Sequence, residues 1–153
     1  MTPQARRLYA VIGELRSAFH RLGKAADELH AGRAITAAMR AVMEALTGGE
    51  RSVPDIARTR SVSRQHIQVI MDSLLTAGLV RAIDNPHHKR SPLFVLSKKG
   101  EAAFGEMRKL ETVVLERWAA QLPGRELAAA EEVLRALNAL LAGEAKKHPD
   151  VEG

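Results

Sequence analysis

A mainly α fold with one small β-hairpin is the class this sequence predicts, and three observations predict it. Ala and Leu are abundant, whereas only five aromatic residues are present, Tyr9, Phe19, Phe94, Phe104 and Trp118, a balance that favours packed helices over sheets. Apolar residues recur every three or four positions over most of the chain. The exception is 79–96, where two short strand-like runs flank a polar loop.

The first helix is expected from Pro3 to His30: Pro3 suits a first turn, and Leu8, Ile12, Leu15, Phe19, Leu22, Ala26 and Leu29 form one apolar stripe that Gly32 ends. A second helix follows from Thr36, an N-cap, to about Leu46, with Met39, Val42, Met43 and Leu46 inward. Gly48 and Gly49 break it. A short third helix covers Pro54 to about Thr59, and a fourth starts after the capping hydroxyl of Ser63 and ends at Gly78. Strands are expected at Leu79–Asp84 and Leu93–Leu96. Pro92, which cannot donate to a ladder, suits the start of an edge strand. Ser97 caps a fifth helix carrying Phe104, Met107, Leu110, Val114, Trp118 and Gln121 on one face, stopped by Pro123 and Gly124. The sixth, about Arg125 to Ala142, turns Leu127, Ala130, Leu134, Leu137 and Leu141 inward, and residues 146–153 are a frayed tail.

The order short helix, turn, helix, hairpin is that of a winged helix-turn-helix lobe, assigned to 35–100. Within it Ile56, Ala57, Val62, Ile67 and Ile70 are placed as a small core, with Val62 plugging the turn. Ser61 holds the turn position where such motifs often carry Gly. The first helix, about 40 Å long at 1.5 Å per residue, has more apolar surface than a lobe of this size covers. Residues 1–34 and 101–145 are therefore assigned to a helical dimerisation layer shared by two copies of the chain.

Charge is segregated. Between Arg51 and Lys99 stand nine Lys or Arg and three acids, whereas the rest of the chain carries 14 basic and 15 acidic residues. The whole positive surplus thus lies on the winged lobe, as expected for a polyanion-binding surface. No cysteine is present, which excludes disulfides, thiol sensing and Cys-ligated zinc and suits a reducing cytoplasm. The charged N-terminal segment matches neither a signal peptide nor a membrane span. Phosphate-loop, HExxH and GxSxG motifs are missing, so no enzymatic activity and no cofactor are expected.

Ser63, Arg64, Gln65 and Gln68 are the polar residues left at the start of the fourth helix. Arg donates two bonds to guanine O6 and N7, and Gln pairs with adenine N6 and N7, so these types at a helix N-terminus suit readout of double-stranded DNA in the major groove. At the hairpin tip His88, Lys89 and Arg90, with His87, form a cationic loop able to reach phosphate or the minor groove. Adjacent His residues on a loop converge poorly on one ion, and no metal site is expected. The other function these features allow is a winged-helix protein-interaction or architectural module. Such a module is expected to show an apolar patch on the fourth helix in place of the basic surplus.

The run VPDIARTRSVSRQHIQVIMDSLLTAGLV followed by LFVLSKKG resembles the MarR family of bacterial transcriptional regulators, and the helix order resembles it over nearly the whole chain. Leu74 to Val80, the hairpin, and then Leu96, Ser97 and Gly100 look like that family's wing and the entry to its fifth helix. Arg90 matches the family's wing arginine, but His88 stands where an Asp is usual. The resemblance implies a homodimer on a pseudo-palindromic operator, usually a repressor. It also implies release by a small aromatic or phenolic acid bound between the dimerisation helices and the lobe. Arg16, His20, Met39, Met43 and Trp118 are the residues that this relationship suggests for the effector.

Overall fold

The computed structural model describes residues 1–147 of the chain. In order they form α1 (Pro3–Leu29), α2 (Ala37–Ala45), β1 (Arg51–Ser52), α3 (Val53–Arg60), α4 (Arg64–Thr76), β2 (Val80–Ile83), β3 (Leu93–Leu96), α5 (Lys98–Ala119) and α6 (Gly124–Lys147). The chain divides into two compact units, Met1–Leu110 and a second one starting at Glu111.

Local chemistry accounts for most helix ends. Thr2, Thr36, Ser52 and Ser63 each turn a hydroxyl oxygen onto the backbone N–H three residues on, at Ala5, Met39, Asp55 and His66, satisfying one of the donors that a helix start leaves without a partner. Ser52 also donates to the Asp55 carboxylate at 2.7 Å, and Arg58 pairs with its other oxygen. The Ser52 hydrogen bond is the chief cause that holds the Asp55 carboxyl below its ordinary value, with Arg58 adding to it.

Two helices close in the same way. After α4, Gly78 takes a positive φ of 70°, its N–H donates to Leu75, and the Leu79 N–H donates to Leu74, which is a Schellman ending. After α3 the same pair of bonds runs from Ser61 to Arg58 and from Val62 to Ala57. Here a serine occupies the left-handed position, at φ 53°. Replacing it by glycine removes the Cβ clash of that conformation. Ser61→Gly is expected to stabilise the protein by up to about 1 kcal/mol, read as a higher urea midpoint at unchanged slope; a lower midpoint would refute the strain assigned to this turn.

The sheet is three-stranded and antiparallel, in the order β1-β3-β2. Val80 pairs with Leu96 and Ile83 with Leu93 across the hairpin, while Arg51 and Ser52 pair with Phe94 and Leu93 on the other side. This corrects the sequence reading twice. β1 is an added strand, too short to show a period of two, and β3 is consequently the central strand, not an edge. Pro92 is tolerated because it precedes the first paired residue. α3 also begins at Val53 and ends at Arg60, one residue longer at each end than expected.

In the first unit the core gathers α2, α3, α4, the hairpin and the beginning of α5. Val42, Met43, Ile56, Ile67, Met71, Leu74 and Met107 are among its fully buried members, each contributing about 1.5–3 kcal/mol of burial. Val62 is a correction: it is 39% exposed and only caps the end of α3. Arg40 lies over the Phe104 ring at 5.6 Å.

The start of α5 is fastened to the end of α4 and the first residues of the hairpin. Ser97 donates its N–H to Leu79 at 3.0 Å and its hydroxyl to Gly78 at 2.7 Å, and the same hydroxyl caps α5 at Gly100. The Lys99 ammonium donates to the Ala77 carbonyl at 2.7 Å. Gly100 packs so closely that a Cβ built on it would stand 1.9 Å from the Leu79 carbonyl oxygen.

α1 has no buried residue, and Tyr9 and Phe19 are exposed to 69% and 73%. In the second unit Trp118, Leu127, Leu140 and Leu141 are exposed as well. α6 runs to Lys147, beyond its expected end at Ala142 and two residues into the stretch expected to fray; the rest of that tail, 148–153, lies outside the described residues. No helix among the described residues is long and apolar enough to cross a membrane.

Candidate nucleic-acid interface

Burial of Ile67, Ile70, Met71 and Leu74 fixes the rotation of α4. The opposite side of the helix is thereby turned outward, and Ser63, Arg64, Gln65, His66 and Gln68 are all exposed. The Ser63 oxygen is engaged as the cap of α4 at 3.1 Å from the His66 N–H, which leaves its own proton to donate. Gln68 directs its amide NH2 to the Asp72 carboxylate at 2.8 Å, so the orientation of that side chain is set from within the helix.

The hairpin completes the surface. A groove of about 500 Å³ runs between α4 and the wing, lined by Arg64, Gln65 and Gln68 on one wall and by Arg90, Ser91 and Pro92 on the other. Residues some twenty-five positions apart in the sequence thus form one cleft with a guanidinium on each side. His87, His88 and Lys89 continue the wing as exposed residues.

Asn85 is a functional candidate that the sequence reading passed over. Its Oδ1 accepts the His87 N–H at 3.0 Å, its Nδ2 donates to the Ser91 carbonyl at 2.8 Å, and its carbonyl accepts the His88 N–H at 3.3 Å. The side chain thus ties the two ends of the wing loop together from a half-buried position. The signal was the Asn-Pro pair, which favours a turn in which the Asn side chain bonds the backbone two residues on. Asn85→Ala is expected to speed amide hydrogen exchange at His87 by about tenfold while moving the unfolding midpoint little; unchanged exchange would remove the bracing role.

Not every cation of the surplus faces outward as a ligand. Arg58 is engaged with Asp55, Arg60 reaches the Ala41 carbonyl at 3.4 Å, and Lys99 belongs to the α5 clasp. Arg51, Arg64, Arg81, Lys89, Arg90 and Lys98 are the other exposed cations of the segment.

The residues suggested for an effector are distributed differently. Met39 and Met43 come together in the core on α2, Met43 with no exposed surface. Arg16 and His20 are exposed on α1, and Trp118 belongs to the second unit. Among the described residues no group of three or more His, Asp or Glu side chains is placed to hold a metal ion.

Comparison with known proteins agrees with this fold. The sequence profile described as "MarR family" matches residues 36–91, a stretch that runs from α2 to the wing loop and includes Arg64, Gln65, Gln68 and Arg90. An uncharacterized protein of Mycobacterium tuberculosis, Rv2011c, is 30% identical over 146 residues, 94% of this chain and 99% of that protein. Among solved structures, a MarR family transcription regulator is similar with a TM-score of 0.80 and 26% identity, covering 94% of this chain and 95% of its own. The transcriptional repressor CouR, solved on a 23-mer DNA duplex, is similar with a TM-score of 0.70 and 26% identity over 82% of this chain and 89% of its own.

Proposed function

The chain belongs to the MarR family, and from that premise we propose that it is a transcriptional regulator, not an enzyme, which binds double-stranded DNA in a sequence-specific manner as a homodimer. The observation that carries this reading is the groove that brings Arg64, Gln65, Gln68 and Arg90 together on the segment holding the whole positive surplus. α4 enters the major groove, where Arg64 and Gln65 address base edges, with Ser63 and Gln68 beside them. The wing carries His88, Lys89 and Arg90 to the phosphates and the adjoining minor groove.

Pairing follows from what α1 and α6 leave uncovered. On α1 an exposed stripe holds Leu8, Leu15, Phe19 and Leu22, and on α6 Leu127, Leu140 and Leu141 are exposed, apolar surface whose transfer out of water is favourable. A second copy of the chain buries both, so that 1–34 and 101–145 serve as the dimerisation layer and 35–100 as the reading lobe. Two recognition helices then address a pseudo-palindromic operator with half-sites about 34 Å apart. Similarity to CouR, a repressor, supports repression as the regulatory sense. Release by a small aromatic or phenolic acid is proposed with it, Arg16, His20, Met39, Met43 and Trp118 being the residues to examine.

The test is selection of bound sequences from a random duplex pool, followed by gel shift. Enrichment of an inverted repeat is the expected result, and the absence of any enriched duplex would overturn the reading.

A further inference from the structure

We propose that Val69 is a specificity-determining residue of α4, reading the 5-methyl group of a thymine in the major groove. Four apolar residues of this helix are buried, Ile67, Ile70, Met71 and Leu74. Val69 is out of phase with them: at about 100° per residue it lies roughly 150° around the helix from the middle of that stripe. It is 61% exposed, so the core gains little from it. It lies one turn beyond Gln65, on the same outward face, with Gln68, Asp72 and Ser73 around it, all exposed.

Two features identify the occupant. On α4 its exposed neighbours Gln65, Gln68, Asp72 and Ser73 are polar, and the concavity it borders with Ala34, Met39, Thr76 and Ala77 adds little apolar surface because Met39 is buried, whereas a protein-docking helix presents a contiguous apolar patch. Its surroundings on the lobe carry the positive surplus, with Arg64 and Arg90 on the walls of the adjacent groove, which selects a polyanion. Base edges in the major groove offer one apolar group, the thymine methyl. With Gln65 directed at an adenine, Val69 one turn along the helix is in reach of a thymine nearby in the same half-site.

The inference rests on the proposed entry of α4 into the major groove, and the experiment separates the two. The full-length protein is titrated against its selected operator and against duplexes in which each thymine in turn is replaced by deoxyuridine, which removes only the methyl group. The wild-type protein is expected to lose about fourfold in affinity at one thymine per half-site, the equivalent of one methyl-sized group returned to water. Val69→Ala is expected to bind the intact operator about as well as the wild type binds the deoxyuridine duplex and to be indifferent to that replacement. Val69→Thr, which keeps a methyl group, is expected to retain part of the sensitivity. Equal loss for wild type and Val69→Ala, or no loss at any thymine, overturns the assignment while leaving DNA binding intact. Failure of the wild-type protein to bind any selected duplex overturns the proposed function and this inference with it.

Discussion

Gly100→Ala is expected to destabilise the protein by about 3 kcal/mol, near the upper end of what overpacking costs, and to lower its melting temperature by roughly 10 °C. The added Cβ would sit 1.9 Å from the Leu79 carbonyl oxygen and 2.9 Å from its carbon. Both obstacles are backbone, and neither can swing aside as a side chain does. The same carbonyl accepts the Ser97 N–H, and Leu79 also donates to Leu74 to close α4. Moving it therefore disturbs the helix ending, the first residues of the hairpin and the α5 clasp together. Gly105, one turn further along the same helix, meets nothing within 4 Å when given a Cβ. Gly105→Ala is the control, expected to be neutral or to stabilise by up to about 1 kcal/mol through helix propensity. Thermal unfolding of the two variants side by side decides the matter: equal effects would show that the contact at Leu79 carries no energetic weight.

Arg64→Ala is expected to weaken operator binding by about 1–3 kcal/mol and to relax preference at one base pair of each half-site, the loss of a bidentate contact to guanine. Arg64 opens α4 and lines the groove opposite Arg90, at the end of the helix that the proposed function brings to the base edges. Lys89→Ala is expected to weaken all sequences alike and to reduce the slope of log affinity against log salt by about one, since Lys89 is exposed on the wing loop, which the proposed function assigns to phosphate. Titrations on cognate and scrambled duplexes at three salt concentrations measure both. The reverse pattern, uniform loss for Arg64 and altered preference for Lys89, would refute the division of labour between helix and wing.

The helices were legible because their signals are local and repeated. Thr36, Ser63 and Ser97 announced their caps, Gly78 announced the helix ending, and Ile67 and Ile70 located the buried side of α4. What escaped was information carried by partners distant in sequence. β1 is two residues long and exists only because Arg51 and Ser52 find Phe94 and Leu93. No period can reveal so short a strand, and overlooking it made a central strand look like an edge. Val62 has the residue type of a core plug but follows the left-handed Ser61, and the chain turns it outward. Within the candidate interface, Arg64, Gln65 and Gln68 were readable as the polar face of a helix. Asn85 was not, since its role depends on reaching Ser91 across the loop.

By itself the sequence determined the helix order, the segregation of positive charge onto 51–99 and the residue types that can address DNA, because caps, periodicity and charge are properties of neighbouring residues. Tertiary structure decided which of those charges face outward, sending Arg58 to Asp55 and Lys99 to Ala77 while leaving Arg64 and Arg90 on two walls of one groove. It also decided that Gly100 must be glycine, a constraint set by the Leu79 carbonyl twenty-one residues away. The physical reason is common to both: steric exclusion and hydrogen bonding act through space, over distances that the chain closes only when it folds.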